Sequence, residues 1–319
     1  FGDWSSDVCS SDLSFKQDVE GWARQADRLY IWDYTANFEH YIMPQPNLFV
    51  QKKNIEFFIR NHVRGIYGSG NTSIGAEMAE LRGYLLAKLY WQPWLNERDL
   101  VQEFLAGYYG KAAPALLRYI DLLHDKVEKD QIHVFIASGP MMPHLQPTVM
   151  AEAKKWFDEA ERLADNETIR KRVQVARLPI QHVELEWAKP SYRVRDGRYH
   201  ADLIPGAEEL AVKFLQVAEE NNVGPICEFE NRTPAWHLQQ QAFWKKSYEA
   251  VTLENALLHM DVVPELGGRI VSLRYKPAER ELLLAPQADG REYPWSGGYE
   301  EYSERGGRKI GRASCRERV

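Results

Sequence analysis

Short apolar runs alternate with a helical pattern in the first part of the chain. Residues 29–34 (LYIWDY) form an apolar run with no partner at helical spacing, which predicts a buried strand ending near Asp33. The segment NLFVQKKNIEFFIRNH then places apolar residues at near-helical spacing, namely Val50, Ile55, Phe58 and Ile59. A second short apolar run, VRGIYGSG, follows and is closed by glycines. Strand, helix and strand in this order predict a parallel βαβ unit.

A longer helical pattern fills the middle of the chain. One helix is predicted from about Gly75 to Tyr90, because apolar residues recur there on one stripe, namely Met78, Leu81, Leu85 and Leu89. Further helices are predicted at 97–108, 113–129, 148–164, 167–188 and 206–221. Asn96, Thr148 and Asn166 are the predicted N-caps of three of them, and Pro114 marks another helix start. No strand is predicted in this region.

The pattern changes again near Tyr248. Short β-rich runs at 256–263, 268–275 and 281–285 are separated by proline and glycine. This spacing predicts the beginning of an all-β domain.

Composition narrows the function classes. The 319-residue chain has a net charge of -6, and its 40 Lys and Arg are dispersed, whereas nucleic-acid binding needs clustered basic side chains. A 44% hydrophobic share beside 27% charged residues excludes a disordered chain and a membrane-spanning fold. Ten Trp and sixteen Tyr are available either to line a sugar site or to fill a core.

Both ends of the chain differ from the rest. Residues 2–13 (GDWSSDVCSSDL) and 310–319 (IGRASCRERV) resemble in-frame translations of two common short-read sequencing adapters. On this interpretation the genuine chain runs from Ser14 to Lys309 and comes from a gene fragment open at both ends. Cys227 is then the one remaining cysteine, so neither a disulfide nor a multi-cysteine metal site is predicted.

Several motifs occur in order over residues 20–190. They are IWDYTANFEHYIMPQPNL, NIEFFIRNHVRGIYGSG and a long segment from GAEMAELRGY to LLRYIDLLH. With them the chain resembles a bacterial family catalogued as domain of unknown function 4838, which is similar to glycoside hydrolases with a (β/α)8 barrel and a helical region after it. LLAKLYWQPWLN also resembles the segment after the last barrel strand of alpha-glucuronidases. VVPELGGRIVSL and WSGGYEEYSE resemble the start of a galactose-mutarotase-like β-sandwich.

The resemblance implies an α/β plus α plus β fold class: the C-terminal part of a TIM-type barrel, a helical region and a truncated β-sandwich. The implied divisions are adapter-derived residues 1–13 and 310–319, the last βαβα part of the barrel at 14–95, the helical region at 96–247 and the sandwich start at 248–309. The strands that usually carry the acid and its partner carboxylate would lie upstream of this chain. The complete protein would be a secreted or periplasmic glycosidase acting on poly- or oligosaccharide, and the fragment itself would be inactive.

Candidate substrate-binding residues lie at the end of the first predicted strand. Barrel enzymes build their active sites at the carboxyl ends of strands, where Trp32, Asp33 and Tyr34 are expected. A ring beside a carboxylate suits a sugar, since CH groups stack on the ring and the carboxylate accepts hydroxyl hydrogen bonds. The alternative is structural: Trp32 packs between barrel and helices, and Asp33 caps the next turn. Asn37 follows in the same loop, with local turn bonding as its alternative role.

The second strand end supplies further candidates. Tyr67 precedes the GSGN loop, which lacks both GxGxxG spacing and a Walker lysine and so does not predict a phosphate site. Glu77 follows at a helix start, where the helix dipole favours a carboxylate whatever its function. Asp33 and Glu77 are also the two candidate catalytic carboxylates, although both are assigned to substrate binding first.

Neither a metal nor a cofactor is predicted, because the histidines lack metal-ligand spacing. The expected partner is a carbohydrate, with no nucleic acid and no membrane span, and the oligomeric state stays open. The alternative function is a non-catalytic carbohydrate-binding or scaffold protein whose barrel has kept a ring-lined groove but lost its acid.

Overall fold

The chain is a mixed α/β protein that divides into two compact units. A computed structural model describes residues 13–70, 73–188, 191–202, 204–228, 233–235, 247–283, 300–302 and 308–310. The first unit comprises residues 1–184 and 212–234, and the second comprises residues 185–211 and 235–319.

Helices dominate the first two thirds of the chain and strands the last third. In chain order the elements are α1 (Leu13–Ala23), β1 (Leu29–Tyr34), α2 (Gln51–Arg60), β2 (Val63–Ser69), α3 (Ala79–Trp91), α4 (Glu97–Tyr109), α5 (Ala113–Lys129), α6 (Pro147–Leu163), α7 (Glu167–Trp187), β3 (Ser191–Arg195), β4 (Arg198–Asp202), α8 (Ala207–Glu220), β5 (Ser247–Glu249), β6 (Val251–Glu254), β7 (Leu258–Val263), β8 (Arg269–Tyr275), β9 (Arg280–Glu281), β10 (Glu300–Tyr302) and β11 (Arg308–Ile310). No helix in the described part of the chain is both long and apolar enough to cross a membrane.

The predicted βαβ unit is confirmed. Strands β1 and β2 pair in parallel, with α2 between them in the chain. Because side chains alternate along a strand, Leu29 and Ile31 share one face of the pair. That face packs against Phe57 and Phe58 of α2. Ile59, which the pattern assigned to the apolar stripe of α2, is exposed.

The predicted helix positions in the middle region are also confirmed. One of the three predicted N-cap residues is wrong. The Asn96 side chain accepts hydrogen bonds from two backbone N–H groups at the start of α4, and Asn166 accepts one from Ile169 N at 3.0 Å. Thr148 is not an N-cap: α6 begins one residue earlier, at Pro147. Proline suits the first helical position because its missing N–H would have no intrahelical partner there.

The expectation of no strand between residues 96 and 247 is wrong. Strands β3 and β4 form an antiparallel hairpin through Asp196 and Gly197, which both have positive φ. Asp-Gly at both central positions is a typical signal for a tight hairpin turn, because few other residues tolerate that backbone. The sequence therefore contained the signal, within the motif YRVRDGRYHAD.

Among the described residues, the second unit contains three antiparallel sheets. Their strand orders are β3-β4-β5, β6-β7-β8-β9 and β10-β11. Strands β7 and β8 confirm the predictions at 256–263 and 268–275. The predicted run at 281–285 overlaps β9 at Glu281, and its residues 284 and 285 lie outside the described residues. A core cluster of Tyr199, Tyr248 and Val263 lies within this unit.

Candidate functional site

Three aromatic rings meet on the exposed face of the β1–β2 pair. The Trp32 ring lies 6.2 Å from Tyr34 in a stacked arrangement and 4.9 Å from Tyr67 in an edge arrangement, measured between ring centroids. Trp32 is 61% exposed and Tyr67 62% exposed. We call Trp32, Tyr34 and Tyr67 the ring platform.

Strand geometry brings these rings together. Trp32 and Tyr67 are direct partners in the parallel register, and Tyr34 lies two residues beyond Trp32 on the same face. Gly65, the register partner of Tyr30, leaves space for that neighbouring ring, since a Cβ there would lie 2.8 Å from it. The platform therefore follows from alternation along β1 and from the register with β2.

Asp33 lies on the opposite face of β1 from Trp32. It follows Leu29 and Ile31 on the face that the helices cover, and it is only 3% exposed. No described residue donates a hydrogen bond to its carboxyl group. Burial without such a bond raises the pKa of Asp33 to about 7.

Tyr90 of α3 is the neighbour of this carboxyl. Burial raises the pKa of the Tyr90 hydroxyl, and the charge of Asp33 raises it further. No described residue forms a hydrogen bond with this buried hydroxyl. Gly68, the register partner of Asp33, makes room for the ring: a Cβ at Gly68 would lie 2.5 Å from the Tyr90 Oη. Asp33 and Tyr90 thus form a small polar site between sheet and helix.

Glu77 belongs to a separate buried network. Its Oε2 lies 2.6 Å from Nη2 of Arg82, and both side chains are almost fully buried. Burial raises the pKa of Glu77, and the Arg82 charge opposes that rise. Arg82 also donates to Asn47 Oδ1 and to the Gln45 carbonyl. Glu77 is therefore held in an internal ion pair rather than presented to solvent.

Asn37 is engaged within the protein as well. Its Nδ2 donates to the Ser138 carbonyl at 2.8 Å. Its Oδ1 accepts from the backbone N–H groups of Glu39 and His40. This local pattern is an Asx turn that fixes the loop after β1.

The sequence analysis gave no role to Arg82, which organises the network around Glu77, or to the nearby buried His124. The sequence pattern could have indicated that Arg82 is buried, because it lies four residues after Met78 and so falls on the apolar stripe of α3. No sequence signal pointed to His124. Its Nε2 accepts the Leu48 N–H at 3.0 Å, and its Nδ1 therefore carries the proton and donates to the Ile120 carbonyl. Burial lowers the His124 pKa to about 4, so this ring is neutral at physiological pH.

In short, the structure brings Trp32, Tyr34 and Tyr67 together and separates Asp33 and Glu77 from them. No group of three or more His, Cys, Asp or Glu side chains that could hold a metal ion occurs among the described residues.

Comparison with known proteins relates the first part of the chain to one family model. No curated protein and no solved structure matches this chain. The resemblance to domain of unknown function 4838 is confirmed for the first part of the chain. Residues 4–121, which include β1, β2 and the ring platform, match the family model described as Domain of unknown function (DUF4838).

Proposed function

We propose that this chain is part of a glycoside-hydrolase-like protein that acts on poly- or oligosaccharide. The observation that carries the proposal is the ring platform at the carboxyl ends of two parallel strands. Exposed rings offer flat apolar faces for the CH groups of a sugar, which is a common use of Trp and Tyr at wet surfaces. Three rings in contact suit a substrate of more than one sugar unit.

For the fold, we propose that β1 and β2 are neighbouring strands of a (β/α)8 barrel. Parallel sheets are normally covered on both faces, yet Tyr30, Trp32 and Tyr67 leave one face of this pair open to solvent. In a barrel this face would line the interior and α2 and α3 would form the outer layer. We likewise propose that the strands from β6 onward begin a mutarotase-like β-sandwich.

Glycoside hydrolysis needs a carboxylic acid that protonates the leaving oxygen and a second carboxylate as nucleophile or base. Asp33 has the appropriate protonation state, because a pKa of about 7 keeps much of it protonated at neutral pH. It faces away from the platform, however, and Glu77 is paired with Arg82. We therefore keep both as weak catalytic candidates and place the main pair on strands preceding β1.

The test compares sugar binding by the chain and by two matched variants. Trp32→Ala removes the central ring of the platform, whereas Trp22→Ala removes an equally exposed ring on α1. We expect Trp32→Ala to weaken binding of an oligosaccharide by about tenfold or more, a loss of about 1.4 kcal/mol, and Trp22→Ala to leave it unchanged. NMR titration with a panel of neutral and acidic oligosaccharides measures this. Equal affinity of all three proteins would refute the site.

One observation favours the alternative of a non-catalytic carbohydrate-binding protein. Among the described residues, neither Asp33 nor Glu77 faces the ring platform. Turnover of glycosides by the complete protein decides between the two functions. Binding without turnover supports the binding protein, and turnover supports the hydrolase.

A further inference from the structure

A polar cleft lies within the second unit. It has a volume of about 550 Å³, and its lining includes Arg193 and Arg195 of the β3–β4 hairpin and His259, Asp261 and Arg274 of the β6–β9 sheet. This volume falls in the range of small-molecule sites in proteins. The platform residues take no part in it.

Strand register builds one wall of this cleft. His259 lies between Glu254 and Arg274 across three strands, and Arg274 in turn pairs with Glu281 on β9. In the next row Asp261 lies between Thr252 and Ser272. Because directly paired residues share a face, these side chains form two adjacent polar rows on one side of the sheet.

The carboxylates of this wall are occupied by internal donors. Asp261 accepts the Thr252 hydroxyl at 2.6 Å and faces His259 Nε2 at 3.1 Å. Glu281 accepts the Ser272 hydroxyl at 2.8 Å and the Leu273 N–H at 2.9 Å. Their acceptor capacity is thus largely used within the sheet.

The guanidinium groups, by contrast, have unused donors. Arg274 forms no ion pair with any described residue. Arg193 and Arg195 both contact the single carboxylate of Asp202, although each guanidinium has five N–H donors. The three arginines therefore offer unused hydrogen-bond donors, while the lining carboxylates Asp196, Asp261 and Glu281 balance their charge. One anionic group with several acceptor oxygens would satisfy these donors.

Asp196 disfavours one position for that group. It is a lining carboxylate in the hairpin turn, and it would repel an anion placed beside it. Glu281, the register partner of Arg274, accepts from Ser272 and Leu273 instead, so the Arg274 guanidinium keeps donors for the anionic end of a ligand. The hydroxyl-bearing end can then reach the other polar side chains of the lining.

We infer that this cleft binds a small hydroxylated organic acid, such as a sugar acid, with its carboxylate on Arg274 and supported by Arg193 and Arg195. The inference is independent of the proposed function, because none of its residues belongs to the ring platform.

The experiment titrates the full chain with glucuronate, glucose and inorganic sulfate by NMR at low salt. Glucuronate binds, glucose binds at least about tenfold more weakly, and added salt weakens the glucuronate complex, since charge pairing is screened. Glucose binding as tightly as glucuronate overturns the inference. Sulfate binding as tightly as glucuronate also overturns it, because the hydroxylated body would then contribute nothing.

Two variants locate the site. Arg274→Gln weakens glucuronate binding by about tenfold or more, and Arg274→Lys, which keeps the charge but loses the planar fork, has an intermediate effect. Arg280→Gln is the matched control, since Arg280 is an exposed arginine on the same sheet outside the cleft lining. Unaltered affinity in a folded Arg274→Gln variant would exclude this cleft as the binding site.

Discussion

At the scale of single residues, Asp33 is a carboxyl group in a destabilising environment. Its pKa is raised from 3.8 to about 7 by burial. Between these values the folded chain holds a proton that the unfolded chain releases, so the free energy of unfolding falls as pH rises from about 4 to about 7. About three pKa units correspond to at most about 4 kcal/mol.

Asp33→Asn removes this titration and keeps the shape of the side chain. We expect the difference in unfolding free energy between pH 5 and pH 8 to shrink by about 2 to 4 kcal/mol, because the variant has no proton to lose. Urea unfolding at the two pH values measures it. Asp27→Asn, at an exposed position before β1, is the control and leaves the pH dependence unchanged. A wild-type pH profile in Asp33→Asn would show that the Asp33 pKa is ordinary.

Gly68 is required by packing rather than by backbone conformation. A Cβ at this position would lie 2.5 Å from the Tyr90 hydroxyl oxygen. Gly68→Ala should therefore destabilise the chain by about 1 to 3 kcal/mol, as overpacking does. Chemical denaturation measures the loss, and the Tyr90→Phe background should recover part of it by removing the clashing oxygen.

Gly83 is the control position for Gly68, because a Cβ at Gly83 would have no neighbouring atom within 4 Å. Gly83→Ala, inside α3, should stabilise the chain by up to about 1 kcal/mol. Equal effects of the two substitutions would contradict the packing role of Gly68.

At the scale of elements, the Glu77–Arg82 pair ties the loop after β1 to α3. Arg82 contacts Glu77, Asn47 and the Gln45 carbonyl, and Asn47 donates in turn to the Thr35 carbonyl at 3.1 Å. The network thus holds the loop that follows the ring platform. Removing one partner of such a buried pair leaves an uncompensated charge.

Arg82→Met should destabilise the chain by about 3 to 5 kcal/mol. Adding Glu77→Gln should restore part of that loss, since the buried charge is then removed. Thermal and urea unfolding of the single and double variants measure the coupling. Arg98→Met, which removes the exposed pair with Asp121, should cost less than about 1 kcal/mol. Additive effects of the two buried substitutions would argue against the pair.

Helix α4 has the best-defined start among the capped helices. Asn96 accepts from the N–H groups of Arg98 and Asp99. Asn96→Ala should cost about 1 kcal/mol, whereas Thr148→Ala should be nearly neutral, because α6 starts with Pro147 and does not use Thr148 as a cap. Urea unfolding compares the two, and a larger effect at Thr148 would mean that the start of α6 is misplaced.

At the scale of the whole molecule, the β1–β2 pair is an open surface. Tyr30 is 74% exposed beside the platform, and in the described part of the chain each of the two strands pairs only with the other. Unpaired strand edges and exposed apolar faces promote association between chains.

Tyr30→Lys should accordingly reduce self-association of the isolated chain. A charge at this sheet face opposes edge-to-edge pairing. Sedimentation velocity over a range of concentrations measures the change, with Trp91→Lys as the control, because Trp91 is an exposed ring at the end of α3. A wild-type chain that stays monomeric at all concentrations would show that this face does not drive association.

The sequence by itself determined the order and approximate bounds of α2 to α8, the parallel pair and the presence of three aromatic residues at its strand ends. These features depend on local periodicity and capping, which involve residues a few positions apart. Strand alternation also places the side chains of Trp32 and Asp33 on opposite faces of β1. Their common position at the strand end had predicted that both would line one site. Only the tertiary structure decided which polar groups meet. Asn37 bonds to a carbonyl 101 residues away, and Arg82 to an amide 35 residues away. Such pairs depend on how helices and loops pack around the sheet. For the same reason, the arginine cleft has no counterpart in the local sequence pattern.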